Sequence, residues 1–108
     1  MRIDCPFPEW KDSYIETPDT WLGEHAVRRD KALQECDSKK LTNTMTQFSV
    51  SLALLENWDL PGLTGPPDKW DFEKLDLKMI IWVTAKVTDE FSKVFIIPKK
   101  SSEPSTNG

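Results

Sequence analysis

Apolar side chains recur along this chain at intervals that suit helices better than strands. Leu41, Met45, Phe48, Leu52 and Leu55 step by 4, 3, 4 and 3 residues, which sets all five on one side of a helix. This stripe predicts a helix over Lys40–Asn57, stopped by Pro61. A second run, Ile80, Val83, Val87, Phe91 and Val94, keeps the same period and predicts a helix from Leu77 to Phe95 with Asp76 as its cap. Ile81 and Trp82 widen its apolar face, so it is expected to be the most buried element. Asp71 caps a shorter turn through Phe72 and Leu75. Upstream, Leu22, Ala26, Leu33 and Cys36 share a face over Thr20–Cys36, with Asp19 or Thr20 as cap, although Arg28 to Lys31 make the middle polar.

The remaining segments read differently. Pro6, Pro8 and Pro18 punctuate the first 19 residues, each removing a backbone donor and biasing its predecessor away from helix. Only Ser13–Thr17 suits a strand there, and its partner is Arg2–Cys5 unless it lies at an edge. Asn57–Pro67 holds Pro61-Gly62 and Gly65-Pro66-Pro67, the strongest loop punctuation in the chain. From Pro98 onward the sequence PKKSSEPSTNG has no apolar residue to offset its ordering entropy. The expectation is a mainly α fold: a small helical domain of three main helices with a short N-terminal β element. Residues 1–97 form this single domain with its extended N-terminal arm, and residues 98–108 form a disordered tail.

Composition narrows the function classes. At 108 residues and 38% apolar, the chain can bury one core but cannot house a two-domain enzyme. Its net charge is -4 with mixed signs, and the pairs Arg28-Arg29, Lys39-Lys40 and Lys99-Lys100 lack interleaved aromatics, so no nucleic-acid footprint is present. No apolar run approaches the roughly 20 residues of a membrane span. Cys5 and Cys36 fit no metal spacing and are expected to be reduced thiols in a cytoplasmic protein. The start MRIDCPFPEW lacks the apolar stretch of a signal peptide, so the mature chain is expected to begin near Met1.

Candidate chemistry is sparse. The single histidine, His25, lies in a charged helix with Glu24 and Arg28 as its company and reads as exposed. Asp68 with Asp71, and Asp89 with Glu90, read as caps and solvated faces rather than acid–base or metal pairs. The four glycines form no phosphate-binding pattern. The expectation is therefore a protein without catalytic residues, cofactor or metal. What stands out is five tryptophans: Trp10, Trp21, Trp58, Trp70 and Trp82. Trp82 reads as core. Trp10 and Trp21 flank the candidate strand and could close it onto the helices. Trp58 and Trp70 bracket the proline-rich loop, either stacking on it or anchoring a partner.

This layout resembles the tail-assembly chaperones of long-tailed bacteriophages. The likeness runs from Phe7 to Ser105 through FPEWKDSYIETPDTW, NWDLPGLTGPPDKWDF and WVTAKVTDEFSKVFIIPKKSSEPS. The density of prolines in the N-terminal segment departs from the simplest members. The resemblance implies a non-enzymatic role in the host cytoplasm: binding the helical tape-measure protein and bringing tail-tube subunits to it, with no nucleic acid or membrane involved. It also implies a second, longer product made by a frameshift near Lys99 and Lys100. Trp58, Leu60, Leu63 and Trp70 are the expected partner-binding residues. A permanent component of a phage tail or head-to-tail junction, or an intracellular peptide-binding adaptor, are the alternatives.

Overall fold

The computed structural model describes residues 1–65 and 69–95. Three helices, α1 (Gly23–Ser38), α2 (Asn43–Leu54) and α3 (Leu77–Ser92), carry the core, and three short strands, β1 (Arg2–Asp4), β2 (Tyr14–Glu16) and β3 (Asn57–Asp59), form one antiparallel sheet in the order β1-β2-β3. The mainly helical class with a small N-terminal sheet follows the expectation. The tail assigned to residues 98–108, and with it the proposed frameshift junction, lies outside the described residues.

The sheet has one dry face. Ile3, Ile15 and Trp58 stand opposite one another across the three strands. Ile15 is fully buried, with Ile3 and Trp58 half-buried against the core. The other face is wet: the Arg2 guanidinium lies 4.1 Å from the Tyr14 ring centre, and Asn57 Nδ2 donates to the Tyr14 hydroxyl at 3.1 Å. β3 corrects the reading of 57–59 as the end of a helix and the start of a loop. Helix α2 stops at Leu54, and Glu56 N–H donates to the Glu16 carbonyl, drawing the chain into the ladder.

α2 is the most buried helix, a place assigned from sequence to α3. It packs against both α1 and α3, so Phe48, Val50, Ser51, Leu52 and Leu54 are all buried, more than one stripe can supply. α3 buries Met79, Ile80, Val83 and Val87, whereas Ile81 is 58% exposed and Trp82 only half-buried. One face of α3 meets the core and the flank carrying Ile81 does not. Trp82 packs against the core and also meets the N-terminal arm, edge-on to Phe7 at 6.5 Å. There Lys78 Nζ lies about 5 Å from the Phe7 and Trp10 ring centres and 2.6 Å from Glu9 Oε2, pinning the arm to α3.

Helix ends follow local chemistry. Asp76 Oδ1 accepts from Lys78 N–H, and Asp71 Oδ1 accepts from Glu73 N–H, as the sequence predicts. α1 departs from it. Neither Asp19 nor Thr20 caps this helix; it begins at Gly23, and the side chain of His25 accepts from the Leu22 N–H. Its core face is His25, Ala32 and Cys36, with Leu33 half-buried, while Leu22 and Ala26 are exposed. At the other end Lys40, at φ 56°, occupies the left-handed position of a Schellman motif: Lys40 N–H reaches the Asp37 carbonyl and Leu41 N–H the Cys36 carbonyl. This tight reversal leads directly into Thr42, whose hydroxyl caps α2.

Candidate functional site

α1 and α2 part along an apolar cleft of about 230 Å³. Its floor is Ala32 and Cys36 from α1 with Leu52 and Ala53 from α2, small or branched side chains that let the two helices approach without filling the space between them. Trp58 from β3, Trp70 and Phe72 form the wall at one end. The Trp58 and Trp70 rings meet edge to face, centroids 6.2 Å apart, and Trp70 meets Phe72 the same way at 6.4 Å. Phe72 in turn contacts Phe48 at 6.1 Å, so the aromatic wall is continuous with the core. Glu35 and Lys39 stand at the rim with opposite charges.

The four residues expected to bind a partner separate into two pairs. Trp58 and Trp70 are brought together at the cleft, both half-buried. Leu60 and Leu63 are core residues, 3% and 7% exposed, and do not line it. The turn at Pro61-Gly62, with Gly62 at φ 83°, directs both leucines inward. The floor was missed as part of a site: Cys36 and Leu52 read from sequence only as helix-face positions, and Ala32 and Ala53 fall outside the stripes. The indole Nε1 of Trp70 at the cleft and the Thr84 hydroxyl at the α2–α3 side are buried and meet no hydrogen-bond partner among the described residues.

A larger groove of about 590 Å³ runs between α2 and α3. Ile80, Ile81 and Ala85 line it together with Asn43, Thr44, Gln47, Thr84, Thr88, Asp89 and Ser92; no aromatic side chain is among them, so the cleft lined by Trp58 and Trp70 is the better candidate for anchoring a partner.

Among the described residues, no group of three or more His, Cys, Asp or Glu could hold a metal ion, and both cysteines are buried free thiols. The perturbed groups lie in ion pairs. The Arg28 guanidinium, and after it His25, hold the Glu56 carboxyl below its ordinary range, and Lys78 does the same for Glu9 while being raised itself. His25 corrects the expectation of an exposed histidine: it is 3% exposed, turned into the junction of α1 with the strand ladder. No helix among the described residues is long and apolar enough to cross a membrane. Comparison of the chain with family models, curated proteins and solved structures found no match.

Proposed function

We propose that this protein is a non-enzymatic assembly chaperone of the phage-tail kind, working in the host cytoplasm and holding an apolar helical stretch of a tape-measure protein during tail morphogenesis. The observation that carries the reading is the aromatic pair Trp58–Trp70 lining the apolar cleft between α1 and α2. A cleft of this size admits one or two apolar side chains projecting from an amphipathic helix, the way helix-in-groove recognition works. Tryptophan anchors supply most of the energy in such contacts. The layout NWDLPGLTGPPDKWDF, which the reading also rests on, is the segment that brings the two rings together. Tail-tube subunits are the second partner on this reading.

The experiment is titration of a tape-measure segment into the full chain by calorimetry, with Trp58→Ala plus Trp70→Ala compared with the parent. Loss of the two anchors is expected to weaken binding by about 30-fold or more, while Thr88→Ala in the α2–α3 groove leaves it unchanged. Full-strength binding by a double variant that remains folded by circular dichroism would exclude this surface. Detection of the chain as a stoichiometric part of purified particles would replace the chaperone reading with that of a permanent tail component.

A further inference from the structure

His25 ties together three parts of the fold. Its Nδ1 accepts the Leu22 backbone N–H at 2.9 Å, its own backbone N–H returns to the Leu22 carbonyl at 2.9 Å, and its Nε2 faces Glu56 Oε2 at 3.2 Å. Leu22 is the N-cap of α1 and His25 its third helical residue, the position from which a Glu or Gln side chain ordinarily reaches back in a capping box. An imidazole does that work here. Trp21 lies edge-on to the same ring at 5.3 Å and to Phe91 of α3 at 5.2 Å, so the start of α1 and the last turn of α3 share the contact.

The two side-chain bonds admit one protonation state. A nitrogen that accepts from Leu22 carries no proton, so Nδ1 is bare and Nε2–H donates to Glu56. Adding a proton at Nδ1 sets two N–H groups face to face at 2.9 Å, and the cap bond is lost. The ionisable groups that meet this ring are Glu56, from the α2–β3 junction, and Arg28, which lies on α1 and holds the same carboxylate oxygen at 3.0 Å. Glu56 is thus shared between a permanent cation and the imidazole. A positive charge at a helix N-terminus also opposes the helix dipole.

We infer that His25 is a proton-operated latch on the first turn of α1: the neutral Nε2–H tautomer closes it, and protonation opens it and frees Leu22 and Trp21 from their fixed places. The freed residues border an open shelf of about 430 Å³ lined by Trp21, Leu22, Phe91 and Val94 together with the charged Arg29 and Asp30, so protonation reshapes that shelf. The reading is independent of the partner proposed for the Trp58–Trp70 cleft.

Amide hydrogen exchange at Leu22, followed from pH 8 to pH 5 on the full chain, tests it with His25→Gln as the partner variant. Glutamine accepts and donates through its amide but does not titrate. Beyond the intrinsic pH dependence of exchange, the parent is expected to lose protection at Leu22 by roughly fivefold, the scale of a lost helix cap, and His25→Gln to lose none. A parent without the step, or a glutamine variant that keeps it, overturns the latch. Should the variant fail to fold, nitrogen-15 shifts of the parent imidazole at pH 8 decide: a bare Nδ1 supports the proposal and a protonated Nδ1 overturns it.

Discussion

Leu60→Ala separates a core residue from a groove residue more sharply than any other substitution in the loop region. Leu60 follows β3, is 3% exposed and belongs to the central apolar cluster. Shortening it to alanine removes three buried carbons, about 2.4 kcal/mol of transfer free energy at 0.8 per methylene. A cavity term adds to this, and the general range for such changes is about 2–5 kcal/mol. The backbone beside it is the Pro61-Gly62 turn rather than a helix, so partial collapse of the site places the expected loss near the lower end, about 2–3 kcal/mol. For a domain of this size each kcal/mol shifts the midpoint by about 4–8 °C, which gives a fall in Tm of roughly 10–20 °C. Circular dichroism at 222 nm on heating, with urea unfolding to check that the m-value is unchanged, provides the assay. A Tm within about 3 °C of the parent would show that Leu60 behaves as a surface side chain and that the packing described for the 60–63 turn is wrong.

Other perturbations follow from single contacts. Gly62→Ala sets a Cβ 2.7 Å from Leu75 Cδ2 at a φ of 83°, so a loss of about 1–2 kcal/mol is expected by urea unfolding, and a neutral result would refute the turn geometry. Glu56 and Glu9 are both held below the ordinary carboxylate range, the first by Arg28 and then His25, the second by Lys78. A depressed folded-state value means that each pair's stabilisation is fully present above the unfolded-state titration near about pH 4.3. It is lost as pH falls through the lower folded value. Tm is therefore expected to fall on acidification through this range, less steeply in Glu56→Gln and at high salt, and an identical slope in parent and variant would argue against the Glu56 pair.

The helices were legible wherever one side chain set both the stripe and the boundary. Asp76 and the Ile80–Val83–Val87 row give α3 its start and its buried face, whereas Phe48 and Leu52 give α2 only its buried face, the helix running Asn43–Leu54 from a Thr42 cap rather than over Lys40–Asn57. The β1–β2 pairing was legible as a possibility because Tyr14-Ile15 favours extended backbone. β3 was not, because Asn57-Trp58-Asp59 has no strand pattern of its own and is extended by its neighbour across the ladder. Ile81 was misplaced because an apolar run in sequence does not say where a helix face ends. His25 was hidden for a related reason: its burial depends on Glu56 arriving from 31 positions away, and its capping role on a helix start three residues later than Thr20. Of the candidate site, the two tryptophans were readable as outliers of composition, whereas Leu60 and Leu63 share a punctuated loop with them and look alike until the turn's direction is known.

The strand order has a kinetic consequence. β1 and β2 are near neighbours in sequence, but β3 joins β2 only by closing the stretch from Glu16 to its ladder partner Asn57, which contains the whole of α1 and α2. Closing a loop of that length in an unstructured chain is slow and entropically costly. Docking of α1 on α2, joined by the tight reversal at Lys40, shortens the search by delivering Glu56 to Glu16. The β2–β3 ladder is therefore expected to form after the helix pair, which hydrogen exchange during refolding would read as later protection at Trp58 than in α1 and α2. Trp58 rides on β3, so the aromatic wall of the cleft is expected to come apart whenever the two helices beside it undock.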